Sequence, residues 1–288
     1  MTEWAAGIYP GMPPEVYHAD PVPGGSLSVT RSKWLLPPYC PAHYRWAIDH
    51  PDEFVPSQAM TLGSAAHTYA LGEGAEIVRV PFDTYQTLAA RRMRDEAIAA
   101  GNIPLKPADF AVVEAMAEQL RRHPYALDLF RGGISEASLF AQDERTGVWM
   151  RGRLDYLPKS DNARLIIPDY KTTSKVPDPE TFRRSSWDFD YYRQADWYER
   201  LVQLTGHHPN PVTAFVLQGQ VAPYLVSVVV FRARSMDAAR FMNDRALGVY
   251  ADCQAAGKWP GYTDDEVARI DLPDWALRQV EDDMEMAR

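Results

Sequence analysis

Two apolar runs joined by a polar turn constrain the fold of this chain more than any other stretch. Residues 151–171 read RGRLDYLPKSDNARLIIPDYK. Asp155 closes the first run. Asp169 and Lys171 close the second, just after Leu165, Ile166 and Ile167. Short apolar runs on either side of polar residues 159–163 predict two neighbouring strands, with Asp155 beside Asp169. Alternate residues of an extended strand share a face, so Lys171 is expected on the side of Asp169. Two carboxylates and a lysine on one surface make a candidate site for a divalent cation and a phosphodiester.

The patterning around this stretch changes character along the chain. Residues 1–26 are rich in Pro and Gly and carry no period, so an extended segment is expected there. Short helices are predicted over 28–36, with Ser28 as the cap, and over 41–50. A helix rich in small residues is predicted over 59–72, closed by Gly72, and a strand over 77–80. Asp83 or Thr84 can cap a helix over 84–100, with Gly101 as its stop. A further amphipathic helix over 107–122 presents Phe110, Val113, Met116, Ala117 and Leu120 as its apolar stripe.

Alternation then takes over. Strands are predicted over 135–142, 146–157 and 164–172, a polar helix over 179–186 and a strong amphipathic helix over 191–204. Strands over 211–219 and 224–231, a long helix over 235–256 and a terminal helix over 274–286 complete the pattern. This order predicts an α/β fold with a central mixed sheet flanked by helices. Three regions are expected: a helical portion over 1–130 packed on the core, a core over 131–260 and an acidic tail over 261–288. The sequence contains no internal repeats and no low-complexity segments.

Composition narrows the function classes. The chain has 288 residues, is 46% hydrophobic and contains only two cysteines, Cys40 and Cys253. A disulfide framework is not expected, and a four-cysteine iron–sulfur cluster and a four-cysteine zinc site are excluded within this chain. No apolar run approaches the roughly 20 residues of a membrane span, and the first residues lack the pattern of a signal peptide. A reducing, cytoplasmic setting is expected. The net charge of −9 argues against a nucleic-acid partner only at first sight. Residues 261–288 hold nine acids and three arginines, leaving the other 260 residues at only −3. A nearly neutral body can still present local basic clusters to a phosphate backbone.

Phosphodiester hydrolysis needs an attacking water, relief of phosphate charge and stabilisation of the leaving oxygen. A hard divalent cation held by oxygen ligands can supply all three. Asp155 and Asp169 are candidate ligands, and the backbone carbonyl of Tyr170 can add one more. Lys171 can hold or polarise the water, and its compact titratable ammonium suits that task. Glu136, on the preceding strand, is a third carboxylate or an ordinary exposed strand acid. Arg31 and Lys33 give their short helix a basic face, open to a phosphate or simply solvated. Gly63 with His67, and Gln194 with Tyr198, have the i,i+4 spacing of one helix face. Alone, His67 reads first as a packed core residue. Gln194 and Tyr198 can contact a phosphate or a base edge, support the lysine, or form a structural pair.

Taken together, four motifs reach a known family. Gly63-Ser64-Ala65-Ala66-His67, Gly152-Arg153-Leu154-Asp155, Asp169-Tyr170-Lys171 and Gln194-Ala195-Asp196-Trp197-Tyr198 resemble, in order and element type, the RecB-like branch of the PD-(D/E)XK nucleases. Within that branch, Tyr17-His18-Ala19-Asp20, Leu27-Ser28-Val29-Thr30 and Pro273-Asp274-Trp275 look like the RecE-type exonucleases (exodeoxyribonuclease VIII) of phages and prophages. The resemblance implies a restriction-endonuclease-like core. It also implies metal ligation by His67, Asp155 and Asp169, catalysis by Lys171, and substrate support from Gln194 and Tyr198. It further implies a Mg²⁺-dependent (or Mn²⁺-dependent) 5′-to-3′ exonuclease on linear duplex DNA. Such enzymes often form ring-shaped homo-oligomers and work with a single-strand annealing recombinase in the bacterial host cytoplasm. The chain departs from the iron–sulfur relatives of CRISPR adaptation, since it lacks their four cysteines. It also lacks the G-x-x-x-x-G-K-S/T loop of helicase-linked relatives. Two other readings compete: a structure-specific or single-strand DNA endonuclease, and a non-catalytic DNA-end-binding protein with a nuclease fold.

Overall fold

The long strands form because their residues are β-prone and because each finds a partner. In the computed structural model, which describes residues 4–50, 58–71, 75–160, 164–264 and 267–287, the strands are β1 (Gly7–Tyr9), β2 (Leu27–Ser28), β3 (Ile77–Arg79), β4 (Ile103–Leu105), β5 (Gly133–Gln142), β6 (Trp149–Pro158), β7 (Leu165–Thr173), β8 (Pro211–Gly219) and β9 (Val226–Val230). The helices are α1 (Pro14–His18), α2 (Val29–Ser32), α3 (Pro41–Asp49), α4 (Gln58–Leu71), α5 (Leu88–Ala99), α6 (Pro107–Arg122), α7 (Pro179–Asp188), α8 (Tyr191–Leu204), α9 (Ala233–Ala256) and α10 (Asp274–Met286).

One sheet runs β1-β5-β6-β2 and a second runs β7-β8-β9. The β5–β6 hairpin is antiparallel and β2 lies parallel to β6, while β7 and β8 are parallel and β9 is antiparallel to β8. The arrangement is the expected mixed α/β layering. One expectation needs correction. β6 and β7 are neighbours, but they share no strand ladder among the described residues. β2 pairs with Met150 and Arg151 on β6. Further along β6, the contact with β7 is made by a side chain, as Asp155 Oδ2 accepts from the Tyr170 amide at 2.7 Å. The two sheets therefore diverge at Asp155. A split between strands leaves a crevice where side chains from both can meet, and α/β sheets commonly place ligands at such points.

The core lies between the sheets and α8. Trp197 and Leu201 on α8 are fully buried with Leu139, Met150 and Leu154. Gly152 makes this packing possible: a Cβ there would stand 2.6 Å from Leu201 Cδ1 and 3.3 Å from the Tyr198 ring. A buried network ties α8 to α9 and α2. Arg193 Nε donates to Asn243 Oδ1 at 3.1 Å, Asn243 Nδ2 donates to Asp196 Oδ2 at 2.9 Å, and Arg193 Nη2 donates to Ser32 Oγ.

Several predicted boundaries moved for identifiable reasons. Residues 1–26 are not featureless, because Trp4, Tyr9 and Tyr17 gather on Phe140 of β5. This anchors β1 against β5 and leaves room for α1. The helix expected from 84 begins at Leu88, because Thr87 and not Asp83 or Thr84 caps it, accepting from the Ala90 amide at 3.1 Å. Ser28 caps α2 as expected, but α2 passes into a 3-10 turn at Lys33–Leu35. The strand expected from 146 begins at Trp149, because Asp143 Oδ1 takes the amide and hydroxyl of Thr146 into a turn. Gly72 and the centre of the 159–163 turn lie outside the described residues. Among the described residues no helix is long and apolar enough to cross a membrane.

Glu199 of α8 gives a pH test of this packing. Its Oε1 accepts from the Thr213 amide at 2.8 Å, and burial pushes its carboxyl up to about 7. The unfolded carboxyl titrates near 4.5. The folded state thus holds this proton more tightly, and the associated stability is lost as pH rises from about 4.5 through about 7. Glu199→Gln keeps the acceptor without the charge. It is expected to gain about 1–2 kcal/mol in thermal melting at about pH 8, and nothing at about pH 4.

Candidate active site

Four elements converge on the split between β6 and β7. The first is α4, brought close by its small residues. A Cβ on Gly63 would lie 2.9 Å from Thr172 Oγ1 of β7, so any larger residue would force a shift where the helix meets this strand. One turn later His67 stands over the crevice. Its Nε2 is 3.2 Å from Asp155 Oδ1 and its Nδ1 is 3.5 Å from Glu136 Oε1. From β6, Asp155 reaches His67 with one oxygen and the Tyr170 amide with the other. From β7, Asp169 is fully buried and ion-paired through Oδ2 with the Lys171 ammonium.

The fourth element is α8. Gln194 Nε2 donates to Asp169 Oδ1 at 3.1 Å and to Tyr198 Oη at 2.8 Å, and Tyr198 donates on to the Arg153 carbonyl at 3.0 Å. With Tyr198 only 6% exposed, this pair faces inward and holds the Asp169 carboxylate in place. Gly152 explains the geometry, since it lets α8 come near enough for Tyr198 to reach the β6 backbone. Tyr170, whose carbonyl the sequence argument invoked, is seen here through its amide, which fixes Asp155.

Glu136 occupies an unusual position. It has φ 51° in the middle of β5, a conformation that costs a non-glycine residue of order 1–3 kcal/mol. The ladder pairs Ser135 with Tyr156 and Ala137 with Leu154, so the step holding Glu136 and Asp155 is skipped. The turn-out aims the Glu136 carboxylate at His67 and at Arg153, whose Nε donates to Oε2 at 2.6 Å. Backbone strain thus places a third carboxylate beside the first.

Charge is compensated pairwise. Burial works against a charged His67 ring, but the Asp155 and Glu136 carboxylates outweigh it and hold the imidazole pKa above its ordinary value. Burial likewise opposes the Asp155 carboxylate, and His67 and Lys171 bring its pKa below the usual range. Burial pushes Asp169 up to about 7; Lys171 recovers part of this and Asp155 opposes the recovery. The Lys171 ammonium pays a burial penalty that Asp169 and Asp155 more than reverse, so it stays firmly protonated.

The donor set, two carboxylates, a neighbouring third and an imidazole, fits a hard divalent cation such as Mg²⁺ or Mn²⁺. Asp169 Oδ2 is fully buried, and although it meets the Lys171 ammonium it has no aligned hydrogen-bond donor. Among the described residues, no three His, Cys, Asp or Glu side chains stand in a ready metal geometry.

The basic residues divide. Arg31 lines a second cavity of about 440 Å³ together with His18, Asp20 and Arg151, whereas Lys33 lies outside it, 5.8 Å from the Trp34 ring. Arg31 Nη1 also donates to the Ala47 carbonyl at 3.0 Å. Arg151 is 4% exposed and lies 2.8 Å from Asp20 Oδ1. Its Nε meets no acceptor among the described residues. Burial first, then Arg151, Arg153 and Arg31, hold His18 below its ordinary pKa. Sequence reasoning missed Arg151 and Arg153. A signal was available, since 151, 153 and 155 share strand parity and so one face.

Comparison with known proteins places the chain in a family and matches its fold. Residues 28–268 match the family described as a PDDEXK-like domain of unknown function, DUF3799. No curated protein matches the chain. The fold is similar to the crystal structure of a "putative exonuclease" from Eubacterium rectale, with a TM-score of 0.59 and 15% identity, covering 92% of this chain and 97% of that one. At that identity the likeness speaks for the fold alone.

Proposed function

The chain belongs to the PDDEXK-like family DUF3799, and from that premise we propose that it is a divalent-cation-dependent deoxyribonuclease that shortens linear duplex DNA from its ends. The observation that carries this reading is the convergence of Asp155, Asp169, Lys171 and His67 at the split between β6 and β7. Asp155, Asp169 and His67 would hold the cation, with the Tyr170 carbonyl as a further ligand and Glu136 beside them. The cation, when bound, offsets phosphate charge and makes a coordinated water more acidic. The remaining work falls to the side chains.

Lys171 keeps its proton under the influence of two carboxylates. Its ammonium would orient the attacking water and offset phosphate charge. Gln194 and Tyr198 hold Asp169 from behind. Arg153 holds Glu136 in place beside the aspartates. Arg31, which lines a separate cavity, would be a further contact for a phosphate. Polarity from 5′ to 3′, a ring-shaped homo-oligomer, a single-strand annealing partner and a place in phage-type recombination complete the proposal, and rest on the motif resemblance.

Digestion of end-labelled linear duplexes beside closed circles, with and without Mg²⁺, tests it. Linear duplex is expected to be degraded only with the cation, and closed circles to survive. Cutting of circular single-stranded DNA would instead favour the endonuclease reading. Intact DNA in every lane with bound protein would favour an end-binding role.

A further inference from the structure

Beside the carboxylates, a second recess opens on Lys171. It holds about 350 Å³, within the roughly 300–1,000 Å³ of small-ligand sites. Lys171, Thr172 and Thr173 line it on one side, and Phe182, Phe189 and Tyr191 on the other. The three rings form layers. Phe182 and Tyr191 are stacked with centroids 5.6 Å apart and planes within 11°, and Tyr191 and Phe189 are stacked at 5.6 Å and 29°. The chain turns from α7 into α8 at Asp190, in the left-handed region at φ 58°, and this corner brings rings 189 and 191 together.

The layers have a buried end and an open end. Phe182 is 8% exposed, while Phe189 is 65% exposed. The Tyr191 ring also lies 5.5 Å from Lys171 Nζ. An aromatic stack whose middle ring lies beside Lys171 and whose outer ring, Phe189, ends on solvent in the same recess is shaped for another flat π-system. Among the groups of a DNA strand, the nucleobase is the one that fits, and hydroxyls from Thr172 and Thr173 stand nearby for its backbone.

We propose that Phe189 is a stacking platform for the nucleobase adjoining the scissile phosphate, taken out of the duplex stack. The inference rests on the nuclease reading and extends it: the recess receives a single unpaired nucleotide of any sequence, since every base has a π-face. An end whose terminal pair opens readily is then the better substrate.

The test measures binding of the full chain in EDTA, where the paired charges of the site already limit repulsion of DNA. Duplexes carry 2-aminopurine in turn at each of the last two positions of each strand. At one of these positions the wild type is expected to quench the probe by stacking. Phe189→Ala is expected to lose that quench and to bind about tenfold more weakly, while Phe189→Tyr keeps both. With an abasic nucleotide at the same position, the wild type and Phe189→Ala should bind alike. Quenching by Phe189→Ala equal to that of the wild type would overturn the platform, as would equal weakening on the abasic duplex. A wild type that neither binds these duplexes nor digests them with Mg²⁺ would overturn the nuclease reading itself, and the platform with it.

Discussion

Lys171→Ala is expected to slow phosphodiester cleavage by about 10³-fold while leaving DNA binding largely intact. The side chain is poised on Asp169 and held protonated, so its loss removes a fixed positive charge where negative charge develops. Lys171→Arg should stay close to alanine in rate, because a planar guanidinium cannot reproduce a compact ammonium. Steady-state digestion of linear duplex, with binding followed separately in EDTA, makes the measurement. Thermal melting must accompany it, since Asp169 is fully buried and loses its counter-charge. A carboxyl already pushed up to about 7 can take a proton in place of the lost partner, so the variant is expected to fold. Cleavage at the wild-type rate would take the lysine out of the mechanism.

Elements with a strong local signal were legible in the sequence. α6, α8, β8 and α10 fall where the pattern put them, because their apolar residues repeat at the period of the element and Pro, Asp or Gly punctuates their ends. What escaped was non-local. β1 and β2 are 3 and 2 residues long and exist only through pairing with β5 and β6. β4 is held by β3 and carries a central proline. The missing ladder between β6 and β7 belongs to the same class, as nothing in residues 151–171 says that Asp155 will take the Tyr170 amide.

The site follows the same division. Strand parity put Asp169 and Lys171 on one face, and they are ion-paired. Helical spacing put Gln194 with Tyr198, and they are hydrogen-bonded. The contact between His67 and Asp155 had no local signal and came only from the family resemblance. Glu136 was legible as a carboxylate but not as a residue with positive φ, because that conformation is imposed by its surroundings. The aromatic layers beside Lys171 were likewise hidden, since residues 182, 189 and 191 come together only through the corner at Asp190.

Gly152→Val should damage fold and site together, for one geometric reason. The first added carbon would stand 2.6 Å from Leu201 Cδ1 and 3.3 Å from the Tyr198 ring, and both residues are buried. α8 cannot simply retreat. Trp197 Nε1 donates to the Arg151 carbonyl at 3.0 Å, and Arg200 bridges Asp143 and Asp244 at 2.8 and 2.7 Å. The Arg193–Asn243–Asp196 network holds the opposite side. Overpacking of this kind costs about 3 kcal/mol, or about 5–10 °C in melting temperature for a chain of this size. Any outward shift of α8 also draws Tyr198 off the Arg153 carbonyl and Gln194 off Asp169. Cleavage should therefore fall further than in Tyr198→Phe, which loses a hydroxyl but keeps the helix in place. Leu201→Val in the same chain relieves part of the clash, so the two changes should couple favourably in a double-mutant cycle. Strict additivity would mean that close approach of α8 is not what Gly152 secures.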